Sequence, residues 1–411
     1  MCRDFGITGL ACRECGREHP IAPEHCCRFC FGPLEVVYDY GEIKKNVSRE
    51  AIAAGPPSIW RYSALLPSPA AHRVDLGAGW TRLREAPRLA AELGLKKLWL
   101  KNDALNPTHS FKDRVVSVAL TAARAFGFET VACASTGNLA NSVAGHATAT
   151  GLRSVVLIPA GLERGKRLAT AIYGGTLIEI DGSYDDVNRL CAELASERPW
   201  AFVNVNLRPF YAEGSKTVAF EIAEQLDWRA PDAVVCPVAS GALLTKIDRG
   251  FKELDSVGLM REHKPKIFGG QAEGCSPVAK AFRDGSEDVT PVKPDTVARS
   301  LAIGNPADGY YALRAVRASG GAVTAVPEPA VAEGIRLLAR TEGLFTESAG
   351  GVTISALEQL VRDRRIDPGE ETVAVITGLG LKTLEVVEQR FAEAIPASLG
   401  AVNERLEGGL V

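Results

Sequence analysis

From about residue 95 onward, short apolar runs alternate with amphipathic stretches. KLWLK, TVACA, SVVLIP, TLIEI, DAVVCPV, KIFGG and TVAVI are each bounded by turn residues. Such runs predict strands buried on both faces. Between them, apolar spacing predicts helices after Ser110, from Asn138 and near Arg164, and GSYDDVNRL reads as a capped helix start with Asp185 and Asp186 at its positive end. Strand followed by helix in this rhythm gives the α/β class, with parallel-rich sheets covered by helices. Two stretches depart from the rhythm. Residues 1–45 are cysteine-rich and end in the strand-like FGPLEVVYDY, which predicts a small separate module. The segment 46–94 holds AAGPPSIW and LLPSPA, whose prolines forbid a long helix, so it is expected to wrap onto the following core. The core then spans 46–411, with lobes expected near 95–215 and 216–395. The tail AEAIPASLGAVNERLEGGLV has weak periodicity and is expected to be poorly ordered.

Composition narrows the possibilities. A hydrophobic content of 46% over 411 residues can bury a large core, and 47 basic against 50 acidic residues give a formal charge of -3. No global field draws such a chain to nucleic acid or to an anionic membrane. No run of eighteen apolar residues occurs, and the first thirty residues carry charges and cysteines where a secretory signal needs apolar ones. The expectation is a cytoplasmic protein acting on a small molecule.

Six of the ten cysteines lie in the first thirty residues. Cys12 and Cys15 form one CxxC, and Cys27 and Cys30 a second after eleven intervening residues. Two such turns brought together by a hairpin present four thiolates tetrahedrally, which suits a structural zinc with no open coordination position. His19, His25, Cys26 and Cys2 are further ligand candidates. A metal-free ribbon or a pair of disulfides is the alternative. Cys133 and Cys236 lie inside predicted strands and read as small buried hydrophobes.

Three strand ends carry chemistry. NPTHSFKDR places Lys112 in the first turn of a helix capped by Ser110 or Thr108, where the positive helix end disfavours an ammonium and favours a nucleophilic amine. The bland reading is a surface lysine paired with Asp113. His109 beside it reads as solvent-facing. ACASTGNLANS runs from a strand through Ser135, Thr136 and Gly137 into a helix, offering hydroxyls and amides to a carboxylate. VVCPVASGALLTKI sets Ala239, Ser240, Gly241 and Ala242 between strand and helix, where small residues let amides close around a phosphate. TVAVI ends in Thr377, whose hydroxyl could meet a ring nitrogen. Together these predict a cofactor site at the carboxyl edge of a sheet.

With these residues in place, the sequence resembles the threonine synthases, within the pyridoxal 5′-phosphate (PLP) family that also includes threonine dehydratases and tryptophan synthase β chains. CRECG, FCFGPLEVVYDY, FYAEGSKTVAFEIAEQL, QAEGCSP, SLAIGNPADG, EGLFTESAGGVT and TGLGLKT extend the likeness over nearly the whole chain, in the order of the long, ribbon-bearing type. The resemblance implies the two-lobed tryptophan synthase β type of fold and a Schiff base on Lys112, which then serves as mobile acid and base. It implies Asn138 at the PLP 3′-oxygen, Ala239, Ser240, Gly241, Ala242 and Leu243 at the PLP phosphate, and Thr377 at the pyridine nitrogen. Ser135, Thr136 and Gly137 would take the substrate carboxylate. The reaction implied turns O-phospho-L-homoserine and water into L-threonine and phosphate, and relatives suggest a homodimer. For the substrate phosphate the candidates are the cations Arg164, Lys166, Arg208 and Lys216, with Thr108 and Ser215 as hydroxyl donors. Two departures bear on this. Arg208-Pro209-Phe210-Tyr211 stands where some relatives have Asn-Pro-x-Arg, and Leu379 where His or Asp is common. The alternatives are another PLP-dependent replacement or elimination on a phosphorylated or hydroxy amino acid, and a non-catalytic binding protein on the same scaffold.

Overall fold

The computed structural model describes residues 6–135, 137–260, 264–387 and 394–407. At the N-terminus, β1 (Gly9–Cys12), β2 (Glu18–His19) and β3 (Leu34–Val37) form an antiparallel sheet in the order β2-β1-β3. Its strands alternate, so Leu10, Cys12, Leu34 and Val36 point inward and join a core containing Val115, Leu207 and Phe210. The cysteine module is thereby packed on the body of the protein.

The proline-rich segment that follows holds only short helical turns. Ser48 caps Arg49–Ala53 and Ser58 caps the turn Ile59–Leu65, which buries Ile59, Trp60 and Tyr62. The indole of Trp60 donates to the Val74 carbonyl at 3.0 Å, tying the strap to itself. Next come β4 (Leu83–Glu85) and β5 (Lys97–Asn102), then β6 (Thr130–Ala134), β7 (Arg153–Pro159), β8 (Thr176–Ile180) and β9 (Ala201–Phe202). The last four make an all-parallel sheet ordered β8-β7-β6-β9. Finally β10 (Ala233–Pro237), β11 (Lys266–Ala272), β12 (Val323–Val326) and β13 (Glu371–Ile376) join β4 and β5 in a sheet ordered β12-β11-β10-β13-β5-β4, parallel except for β4.

That order places β5 in the sheet of the later strands. A lobe expected to begin at 95 gives its first strand to the other sheet, where all six residues of β5 pair with β13, from Lys97 opposite Glu371 to Asn102 opposite Ile376. Its Leu98 and Leu100 are fully buried, and β13 and β4 flank it on either side. The short strands β4, β9 and β12 carry too little pattern to stand out in sequence. The C-terminal tail, expected to be poorly ordered, holds the helix Leu399–Glu407 with no buried residue.

The helix Lys112–Ala125 also begins differently from expectation. Phe111 occupies its cap position and no side chain caps it. The Asp113 carboxylate reaches back instead, accepting from the Thr108 amide (2.6 Å) and hydroxyl (2.6 Å) and from the Ser142 hydroxyl (2.6 Å). Two residues past Lys112, the fully buried Arg114 donates to Asp103 (2.6 and 2.8 Å), Thr81, Thr217 and Glu221, and Lys101 pairs with Glu221 at 2.6 Å. This cluster clamps the start of the helix to β5 and to the helix Lys216–Gln225. Among the described residues, no helix is long and apolar enough to cross a membrane.

Candidate active site

The loop before Lys112 is stitched to the end of β13: the Phe111 amide donates to the Thr377 carbonyl at 2.9 Å, and Ser110 bridges Gly378. Lys112 therefore opens its helix beside Thr377. Its ammonium donates to the Tyr211 hydroxyl at 2.8 Å and lies 4.6 Å from the centre of the Phe111 ring. Burial, opposed in part by the Glu347 carboxylate, lowers its pKa to about 8. The sequence pointed to the helix dipole for this effect, whereas loss of solvent is the main cause.

The three strand-end loops converge on a cavity of about 190 Å3 lined by Lys112, Ser135, Asn138, Arg208, Tyr211, Glu347, Thr377 and the loop Ala239–Leu243. At the end of β6, the Ser135 hydroxyl accepts from the amides of Gly137 (3.0 Å) and Ala140 (2.8 Å), which turns the chain into the helix Asn138–Ala149. Thr136 lies outside the described residues. Gly137 has a φ of +132°, and a Cβ there would stand 2.3 Å from the Lys166 side chain, so only glycine fits. The Asn138 side-chain amide donates to both Glu347 oxygens (2.9 and 2.8 Å) while its carbonyl accepts from Lys382 at 3.0 Å. Lys382 also donates to the Thr108 carbonyl at 2.6 Å, and burial brings its pKa to about 8. These bonds fix which way the Asn138 amide faces.

At the end of β10, the loop from Ala239 leads into the helix Ala242–Ser256, whose first-turn amides have no partners within the helix. Gly241 sits at φ +93°, and a Cβ would approach the Asp308 carbonyl oxygen to 2.7 Å. At the end of β13, the Thr377 hydroxyl is buried with no hydrogen-bond partner among the described residues. A glycine-lined amide cradle, an orphaned hydroxyl and a desolvated amine in one cleft fit the phosphate, ring nitrogen and aldehyde of PLP.

Two expected substrate residues stand elsewhere. Lys216 is fully buried, bonded to the Leu65 carbonyl (3.0 Å) and paired with Glu213 and Glu253 (2.7 Å each). The Thr108 hydroxyl is held by Asp113, outside the cavity lining. Both polar groups had to be satisfied inside the core, and intramolecular partners took them. Arg208 does reach the cleft, where it pairs with Asp308 at 2.7 Å. Leu379 is absent from the lining, so the departure noted there does not face this cavity. Glu347 and Asp308 enter the site without having been singled out, and Tyr211, noted only as a departure from Asn-Pro-x-Arg, lines it as well. They lie in the quoted segments FYAEGSKT, TESAGG and NPADG, but nothing in one-dimensional spacing shows that they face the lysine.

In the N-terminal module, Cys12, Cys15, Cys27 and Cys30 place their sulfurs within 4.8 Å of one another. Cys12 and Cys30 are 3.4 Å apart and Cys15 and Cys27 3.8 Å. A tetrahedron with metal–sulfur bonds of about 2.3 Å has edges of about 3.8 Å, so the donor set fits one metal ion. Backbone amides of Glu14 and Phe29 point at Cys12 and Cys27, each at 3.4 Å, as a knuckle around a metal requires. The His19 ring lies 3.3 Å from the Cys27 sulfur, Cys26 bridges Pro33, and Cys2 lies outside the described residues.

Comparison with known proteins gives the family of the chain. The profile described as pyridoxal-phosphate dependent enzyme matches residues 74–378. A threonine synthase of Methanocaldococcus jannaschii is 40% identical over 387 residues, covering 93% of this chain and 95% of its own. A threonine synthase of Methanosarcina acetivorans is 37% identical over 404 residues, 97% and 98% of the two chains. Among solved structures, diaminopropionate ammonia lyase from Escherichia coli superposes with a TM-score of 0.64 at 18% identity, over 76% of this chain and 87% of its own, a likeness of fold. The profile spans well over half the chain and the relatives align nearly end to end, and the protein belongs to the pyridoxal-phosphate dependent enzyme family.

Proposed function

We propose that the protein is a threonine synthase, converting O-phospho-L-homoserine and water into L-threonine and phosphate with PLP held on Lys112. The observation that carries the reading is the convergence of the Lys112 amine, the Gly241 loop and the unpartnered Thr377 hydroxyl on one cleft that also admits Arg208. The near full-length match to two threonine synthases supports the substrate.

PLP, when bound, supplies an electron sink that stabilises carbanion charge on the substrate, which allows phosphate to leave from Cγ and water to add at Cβ. The Lys112 amine, its pKa lowered by burial to about 8, would bind the cofactor and then take and return protons at Cα and Cβ. Tyr211, bonded to that amine, orients it. Asn138, its amide fixed by Glu347 and Lys382, would stand at the 3′-oxygen of the cofactor. The amides from Ala239 to Leu243 would hold the cofactor phosphate, and Thr377 would donate to the ring nitrogen. Ser135, Thr136 and Gly137 bind the substrate carboxylate, and Arg208 the substrate phosphate, as a guanidinium suits a dianion. Lys216 and Thr108 drop out of this assignment because their polar groups are held inside the core.

The reading also takes residues 1–45 as a ribbon holding a structural zinc on four cysteine thiolates, and residues 46–411 as the catalytic body. It further includes a homodimer and a cytoplasmic location. The test is release of phosphate and appearance of threonine from O-phosphohomoserine, with wild type and Lys112→Ala assayed under added PLP. Product from wild type alone supports the reaction and the lysine. No product from either, with the visible absorption of bound cofactor intact in wild type, overturns the substrate and keeps the cofactor.

A further inference from the structure

Asp308 precedes the helix Gly309–Ser319 in the capping position, where an aspartate ordinarily turns back onto its own helix's amides. Here it makes no such bond. One carboxylate oxygen accepts from Arg13 at 3.0 Å and the other from Arg208 at 2.7 Å, with the Asp308 side chain only 8% exposed. Arg13 lies between Cys12 and Cys15, so the first cysteine knuckle reaches the cleft cation through one carboxylate. The same knuckle grips this helix a second time: the Arg13 guanidinium stacks 3.4 Å from the centre of the Tyr311 ring, and the Tyr311 hydroxyl bonds Glu14. Arg28, at the matching place in the second knuckle, pairs with Glu24 at the surface, its side chain 72% exposed. Arg28 therefore takes no part in the contact with Asp308.

We propose that Arg13 and Asp308 are positioning residues for Arg208, forming a relay by which the cysteine module sets the cleft's guanidinium for the substrate phosphate. The inference rests on the reading that Arg208 binds that phosphate. Its physical basis is the sharing of one carboxylate between two guanidinium groups. Asp308 steers Arg208 without cancelling its charge, because Arg13 holds the other oxygen. Without Arg13, Asp308 is free to take Arg208 in a bidentate pair and draw it off the phosphate.

The test uses the full-length, PLP-loaded protein and reads three quantities: KM and kcat for O-phosphohomoserine, binding of inorganic phosphate by calorimetry, and metal content. For Asp308→Asn, charge alone predicts tighter phosphate binding, since an anion near the site is gone, whereas a positioning role predicts weaker binding. We expect phosphate binding to weaken and KM to rise about tenfold, with kcat within about twofold, as for loss of one oriented charged contact. Arg13→Met should act in the same direction, Arg13→Lys should recover part of the loss, and Arg28→Gln should match wild type. Tighter or unchanged phosphate binding in Asp308→Asn overturns the relay. If Arg208→Gln weakens phosphate binding while Asp308→Asn does not, the relay fails and the reading of Arg208 stands. If Arg208→Gln binds phosphate as wild type does, that reading fails and the relay falls with it. Should Arg13→Met lose metal, Asp308→Asn, which leaves the knuckle intact, decides the question.

Discussion

Lys112 owes its chemistry to where it is buried. With a pKa of about 8, roughly a quarter of the amine is neutral at pH about 7.5, against about one part in a thousand for an exposed lysine. Cofactor uptake by apoprotein should therefore accelerate as pH rises through about 8 and level off above it. Stopped-flow measurement of the visible band against pH checks this, and a rise continuing toward pH 10 would refute it. Thr377 gives a second expectation. Its buried hydroxyl lacks a partner among the described residues, so Thr377→Val should leave the apoprotein as stable as wild type or slightly more so. The same change should weaken PLP binding by about fivefold to tenfold, one hydrogen bond of about 1 kcal/mol. Equilibrium dialysis and thermal unfolding of the apoprotein separate the two effects.

The helix that carries Lys112 is held by charges placed beyond the cleft. Glu221 accepts from Arg114, Lys101 and the amides of Trp80 and Thr81, all inside the core. Glu221→Ala leaves Arg114 and Lys101 underpaired in a dry interior and should cost about 3–5 kcal/mol, read from urea unfolding. The same carboxylate shapes acid stability. Burial alone would raise its pKa, but Arg114 and Lys101 hold it down to about 2 in the folded protein, against 4.5 for a free glutamate. A depressed folded pKa means that its contribution is complete above about 4.5 and is lost as pH falls toward about 2. Stability should decline through that window, and in Glu221→Gln the decline should be shallower.

Taken whole, the molecule places its cleft at the strand ends of its two larger sheets and braces one wall with the cysteine module. The helix Arg208–Glu213 presents Arg208 and Tyr211 to the cavity, and at its far end Glu213 accepts from Tyr38, which follows β3 of the module. If the four thiolates hold zinc, elemental analysis should find about one ion per chain, and stripping it should lower Tm because metal binding and folding of such a module are linked. Far-UV circular dichroism should change little, since the module contributes short strands. An unchanged Tm after verified metal loss would separate the metal from the fold.

The chain's order in one dimension was enough for its class and for the strand-end loops that meet at its cleft. Apolar runs such as TVACA and DAVVCPV can be buried only in the middle of a sheet, and the small residues that end them leave room for a ligand. The paired CxxC turns were legible for the same reason, because their chemistry lies in local spacing. Side-chain partners across long separations could not be read. Lys216 and Thr108 looked like anion ligands until the folded core paired them with Glu213, Glu253 and Asp113. Asp308 drew no notice, and Tyr211 only as a departure, until folding set them against Arg208 and Lys112. Strand β5 changed sheets because β13, some 270 residues later, offered it a complete parallel register. Local pattern selects conformations within a few residues, whereas the choice of partner for a buried charge depends on which distant segments share its water-free space.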